Sequence, residues 1–451
     1  MMMRESFRGW NGVKASKTGF FRVAELEGRW WFIDPEGNAF LSLGLNHISP
    51  ELLFKGYNRA KNEERYGPAP DPFKFDEFRK SPGWDIWNET LREDYRKWGM
   101  NTIGALSNIT SCPPEIPYAI CINFANICHW MPASEIRFPD VFSNSFEKHC
   151  DEIARRRCSA HARNPNLIGY FYADTPILSR ECARRKSGDL QYDLVRGPVP
   201  IWPDAMKSVL GKGAGKEVYV ELMHERYGDI TAFNSVYSTN CESFDTLFRR
   251  HDLAELQPAD PERAAQDDET LLWLILDRFY QVARDAIRRY DADHLILGDR
   301  YNGNSVVPDA AIETMKPYVD VFSVQYYGFY EEQRNDLEKW HRITGKPVFL
   351  TDSCFSATDE NMPNPFGPHV DSQEARAAAY EEYARAVFAL PYVIGWNWCG
   401  YIDEWTVSEG PRQHSGVKDA FENPYEPLVE TMRRVNRNVY DIATEGSENG
   451  R

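Results

Sequence analysis

Eight short apolar runs separated by longer amphipathic stretches constrain this chain more than any other feature. They lie at 40–45, 102–106, 119–122, 167–172, 295–298, 321–324, 348–350 and 393–396. Between most of them, segments such as 146–163, 267–290, 309–317, 334–344 and 373–390 repeat apolar residues at helical spacing. Strands that alternate with helices pair in parallel and are buried on both faces, and eight such units close on themselves. The pattern predicts an α/β fold of the (β/α)8 TIM-barrel class. A doubly wound sheet is the competing arrangement, but no GxGxxG or GxxxxGK[ST] follows any of the runs.

A plain barrel needs about 250 residues, so a chain of 451 must carry insertions. Two segments exceed a normal loop, 49–89 and 178–268, the second with helical patches such as 218–227. Both follow strands, which puts them on the barrel's catalytic face as expected lids or site walls. Ahead of the first run, 20–26 and 30–33 read as a hairpin turning at Glu27 and Gly28 and placed to plug the barrel floor. No repeat or linker interrupts the chain, so 1–443 reads as a single catalytic domain. The polar end, 444–451, reads as a flexible tail.

A formal net charge of −16, with no basic stripe, argues against nucleic acid as a partner. No run of 18 apolar residues and no apolar leader occurs, so the expectation is a soluble chain, cytoplasmic unless a signal peptide has been trimmed. The nine cysteines show no CxxC or regular framework, and reduced thiols are expected. Aromatic residues make up 14% of the chain, enough to supply a cleft that stacks on the flat apolar faces of sugars as well as a core.

Barrel enzymes carry their chemistry just past the C-terminal ends of the strands. Those positions here hold Asn46 and His47 after the first run, Ser107 and Asn108 after the second, and Asn123 after the third. Tyr172, Asp174 and Thr175 follow the fourth, and Asp299, Arg300, Tyr301 and Asn302 the fifth. Gln325, Tyr326 and Tyr327 follow the sixth, Asp352 and Ser353 the seventh, and Asn397, Trp398, Asp403 and Glu404 the eighth. Strands four and seven face each other across a barrel mouth, so Asp174 and Asp352 can bracket a glycosidic bond as an acid with a base, or an acid with a nucleophile. Turn or helix-cap roles are the alternative for each aspartate taken alone. The substrate-binding set is then Asn46, His47, Asn123, Tyr172, Asp299, Arg300, Gln325, Tyr326, Trp398 and Glu404, with Trp130, Tyr327 and Trp405 as further sugar platforms. An ion pair between the neighbours Asp299 and Arg300 is the structural alternative at that position. His47, His129 and His414 lack metal-ligand spacing, and no metal or other cofactor is expected.

The run Gly28-Arg29-Trp30-Trp31-Phe32-Ile33-Asp34-Pro35-Glu36-Gly37-Asn38-Ala39-Phe40, followed by Ser42-Leu43-Gly44-Leu45-Asn46, resembles the β-agarases of glycoside hydrolase family 50. The likeness continues through Trp98-Gly99-Met100-Asn101-Thr102, Asn166-Leu167-Ile168-Gly169-Tyr170-Phe171, Gly416-Val417 and Pro424-Tyr425, and leaves out the 178–268 insertion. It implies a retaining barrel with an Asn-Glu acid/base pair after strand four and a nucleophilic Glu after strand seven. This chain has Ala173-Asp174 and Asp352 at those places. Each aspartate is one methylene shorter, so the pair would open from about 5.5 Å toward the roughly 6.5 to 9.5 Å that admits a water.

The expected function is therefore hydrolysis of an oligo- or polysaccharide by inversion, with Asp174 as general acid and Asp352 as general base. The resemblance implies a galactose-containing glycan, and the long insertions suggest exo action. The alternatives are a retaining glycosidase with Asp352 as nucleophile, a partner for Asp174 drawn from Asp299, Asp403 or Glu404, and a noncatalytic carbohydrate-binding barrel. A homo-oligomer formed through the insertion is a further expectation.

Overall fold

The computed structural model describes residues 7, 9–70, 75–128, 131, 135–178, 201–358, 367–406 and 410–449. Eight parallel strands close into a barrel, and only these are numbered here: β1 Ser42–Leu45, β2 Thr102–Ile103, β3 Tyr118–Cys121, β4 Leu167–Asp174, β5 Leu295–Asn302, β6 Phe322–Gln325, β7 Val348–Ser353 and β8 Val393–Trp398. Each coincides with one of the eight apolar runs, because strands buried on both faces need continuous apolar sequence. The 40–45 run is split at Leu41: Asn38–Phe40 joins an N-terminal sheet and Ser42–Leu45 opens the barrel.

That sheet is antiparallel and four-stranded, in the order Trp10–Lys14, Asn38–Phe40, Arg29–Ile33, Arg22–Leu26. Its hairpin turns where expected, at Glu27 (φ 56°) and Gly28 (φ 78°), two consecutive left-handed residues of the kind tight hairpins use. Phe21, Phe32 and Phe40 project from it into an apolar cluster with Ile168, Phe171, Leu295, Leu297, Val321, Phe349 and Ile394. These belong to the barrel strands or their entries, so the sheet plugs the floor and the opposite end is left as the mouth.

Helices pack around the barrel. The longest, Pro261–Tyr290, is started by Asp260, whose carboxylate accepts from the Arg263 N–H, with Pro261 in the first turn. It buries Leu271, Leu272, Ile275, Leu276, Phe279, Tyr280, Ala283 and Ile287 at three- and four-residue spacing. Its first turns carry the described part of the second insertion, the helices Trp202–Lys207, Ala214–Tyr227 and Ile230–Tyr237. The first insertion ends earlier than its sequence suggests, because helix Pro82–Trp98 begins within it. Between β2 and β3 a single 3-10 turn, Ile109–Ser111, replaces a helix, and a cavity of about 690 Å³ opens on that flank beside Trp84, Pro113, Tyr118 and His161.

A helix runs from Val439 to Asn449, into the segment expected as a tail. Tyr440 packs in a three-ring cluster with Trp10 and Trp31, and Val439 and Ala443 are buried, so packing carries the polar turns beyond them. Among the described residues, eight cysteines are free and buried, and no helix is long and apolar enough to cross a membrane.

Candidate active site

A register slip sets what the mouth contains. Along β5, Leu295 and Leu297 point into the plugged interior while Ile296 faces the outer core. Strict alternation would next turn Asp299 inward and Arg300 outward. Gly298, at φ 79°, breaks the sequence: the β4–β5 pairing shifts so that Phe171 lies opposite Gly298 and Asp174 opposite Arg300. Arg300 therefore points inward, its guanidinium 5.9 Å over the Phe171 ring at the top of the apolar plug. Asp299 points out to the helix Pro261–Tyr290, where Tyr280 donates to it at 2.5 Å.

Arg300 joins the two aspartates across the mouth. Its Nη1 donates to Asp174 Oδ1 at 2.8 Å, and its Nη2 donates to Asp352 Oδ2 at 2.9 Å and to the Thr351 carbonyl at 3.2 Å. Gln325 also donates to Asp174 Oδ1. Asn46 donates from one amide nitrogen to Asp352 Oδ1 at 2.6 Å and to the Thr351 carbonyl at 2.8 Å. Asn123 holds the backbone, accepting from the Asp174 N–H at 3.1 Å. Asp174, Asp352 and Arg300 are 1%, 2% and 0% exposed, so this is a buried charge cluster in which each ion depends on its partners.

His47 Nε2 sits 3.8 Å from Asp352 Oδ2, an ion contact longer than a hydrogen bond. Burial opposes its charged form, but 39% of the side chain is exposed, and the facing Asp352 and Cys399 raise its pKa to about 10. The facing Asp352 thus favours the cationic form of His47. For Asp352, burial favours the protonated form, yet His47, Arg300 and Asn46 outweigh it and hold the carboxyl below the usual range. Cys399 brings its sulfur near the same place, and His47, Asp352 and Cys399 each offer a donor atom within 4.8 Å of the others. The Arg300 guanidinium bonded to the same Asp352 oxygen makes this an unfavourable position for a second cation.

The backbone around the mouth is strained. Of the seven non-glycine residues with positive φ among the described residues, His47, Leu106, Asn123 and Thr175 each follow one of the first four strands.

The structure thus brings Asn46, His47, Arg300 and Gln325 to Asp174 and Asp352, with Asn123 behind them. It places Asp299, Tyr172, Tyr326 and Trp398 elsewhere. Asp299 is fully buried against Tyr280, burial pushes its carboxyl up to about 7, and no Asp299–Arg300 pair forms because neighbours on a strand face opposite ways. Tyr172 is buried with its hydroxyl on the Tyr318 carbonyl. Tyr326 is buried beside Trp340 and donates to the Glu332 carbonyl. Trp398 is 1% exposed, donates to the Ser415 carbonyl at 2.6 Å and lies under the Arg376 guanidinium, which makes it core rather than a sugar platform. Trp396 is likewise buried, donating to Ser353. Asp403 is occupied by His414, Tyr425 and the Gly416 N–H. Glu404 is half-buried on a hairpin beyond β8. Trp130 and the Trp405 side chain lie outside the described residues. Sequence reasoning overlooked Cys399 and the Thr351 carbonyl. The first directly follows Trp398, and the second is a backbone atom that no residue type announces.

No family model matches the chain. It is 23% identical over 500 residues to Beta-agarase B of Vibrio sp. (strain JT0107), covering 97% of this chain and 50% of that protein. It is 20% identical to Beta-agarase A of the same strain, covering 95% and 46%. The chain therefore spans about half the length of the curated relatives it matches. Among solved structures, PfGH50B superposes with a TM-score of 0.74 at 20% identity, over 98% of this chain and 69% of that one. An exo-beta-agarase gives 0.74 and 20%, over 98% and 68%. The chain is thus similar to GH50 agarases, and it has the barrel that its sequence predicted.

Proposed function

We propose that this chain is a glycoside hydrolase acting on an oligo- or polysaccharide, with the reacting bond seated over Asp174 and Asp352. One observation carries the reading: carboxylates from β4 and β7 meet on a single guanidinium at the mouth of the barrel. The two bonds to Arg300 keep the bound oxygens within about 8 Å of each other, a span that covers both retaining and inverting geometries. Asp352, held ionised by His47 and Arg300, suits the base or nucleophile and not the proton donor. Asp174 is then the general acid, and it can act only once Arg300 has turned away from it. A galactose-containing glycan and exo action are the finer form of the proposal, supported by the likeness to agarases.

The same bridge supports a second reading. Arg300 occupies the space between the carboxylates and satisfies both, as a noncatalytic sugar-binding barrel would require. The test is incubation with synthetic glycosides and agar-derived oligosaccharides, following product anomers by proton NMR, with Asp174→Asn and Asp352→Asn alongside. Turnover by the wild type that either substitution abolishes supports the hydrolase. Binding by calorimetry without turnover sinks it in favour of the binding barrel, and turnover surviving both substitutions removes the site.

A further inference from the structure

We propose that the Thr175 hydroxyl is a ligand-contacting group, hydrogen-bonding one hydroxyl of a neutral sugar seated over Asp174 and Asp352; this rests on the carbohydrate reading above. Thr175 directly follows Asp174, and its N–H donates to the Arg300 carbonyl at 2.9 Å, which ties it to the same cluster. Its φ of 40° is one that a β-branched residue seldom adopts. The residue is 6% exposed, and its hydroxyl has no hydrogen-bond partner among the described residues.

A threonine serving only the fold behaves otherwise in this protein. Thr344 donates to the Trp340 carbonyl, Thr314 to that of Ala310, and Thr351 to that of Val324. Ser111, Ser323, Ser356 and Tyr219 also bury hydroxyls unpartnered among the described residues, but Thr175 alone of these combines that with strained backbone directly after Asp174, which points to a partner that arrives with the ligand.

The charge balance specifies the ligand. Among the described residues the two carboxylates are matched by Arg300 and His47, which leaves the cluster no cation to spare for a sulfate or carboxylate group. A hydroxyl that both donates and accepts fits another hydroxyl.

The test compares wild type with Thr175→Val and Thr175→Ser on neutral agar-derived oligosaccharides and their sulfated counterparts, reading Kd by calorimetry, kcat and KM where turnover occurs, and Tm. Valine keeps the shape and deletes the hydroxyl, with Thr175→Ala as the deletion should valine not fold. The expected result is a loss of about tenfold to a hundredfold in affinity or kcat/KM for the deletion at an unchanged Tm, with serine close to wild type. Equal performance of the deletion on a sugar the wild type handles overturns the inference and leaves the functional reading intact, as does a serine variant as impaired as the valine one. Preference for the sulfated series overturns the neutral-ligand assignment. A wild type that neither binds nor cleaves any of these sugars overturns the functional reading and this inference with it.

Discussion

Replacing Arg300 by methionine removes the guanidinium that Asp174 and Asp352 share while keeping much of its apolar stem over Phe171. Both carboxylates are almost fully buried, and breaking a buried ion pair by removing one partner costs about 3–5 kcal/mol. For a chain of 451 residues the entropy of unfolding is about 0.9 kcal/mol/K, so the melting temperature should fall by about 3–5 °C at pH 8. The sign of the pH dependence follows from Asp352, whose pKa is depressed in the folded state. A depressed carboxyl contributes stability above its unfolded pKa and loses it as the pH falls through the folded value. Without Arg300, Asp352 protonates at higher pH, so the difference between variant and wild type should be full at pH 8 and shrink toward pH 5. Scanning calorimetry across that range measures it. A difference under about 1 °C at pH 8, or one that widens on acidification, would refute the view that Arg300 compensates two buried charges.

Gly298→Ala places a side chain at φ 79° and within 3.3 Å of Val319 and Met315; it should cost about 1–2 kcal/mol by denaturant unfolding and reduce any glycan turnover by mis-aiming Arg300, whereas full activity would dissociate the register slip from the site. Asp299→Asn mimics the protonated form of a carboxyl raised to about 7 by burial. A raised carboxyl loses stability as the pH climbs from its unfolded value near 3.8 through 7, about 4 kcal/mol in all, so the variant's Tm should decline less than the wild type's between pH 4 and 8; parallel curves would remove the assignment.

The barrel was legible because its signals are periodic: continuous apolar runs for strands buried on both faces, and helical spacing between them, survive any detail of register. The opposition of Asp174 and Asp352 was legible for the same reason, since counting strands fixes which face each other across the mouth. What depended on one-residue register was not legible. Adjacency in sequence suggested an Asp299–Arg300 pair, although consecutive strand residues point to opposite faces, and strict alternation sent the wrong one of the two inward. The glycine before them carried the corrective signal, because a glycine inside a strand marks a bulge. Trp398 and Tyr326 failed as mouth residues for another reason: Ser415, Arg376, Glu332 and Trp340, which cover them, come from segments whose approach no local pattern encodes.

The register slip also accounts for the character of the site. Without it, β5 would present a carboxylate to a mouth that already holds Asp174 and Asp352, and three buried acids with only His47 among them would repel one another. With it, β5 presents the cation that balances the pair and sends the surplus carboxyl outward, where burial raises it to about 7 against the opposing hydrogen bond from Tyr280. The left-handed Gly298 therefore goes with the charge that β5 gives the mouth, while a second shift, on β4 between Phe171 and Asp174, sets Asp174 opposite Arg300. Chemistry at this site should consequently be more sensitive to substitutions at Gly298 than to loss of any one residue that only lines the mouth.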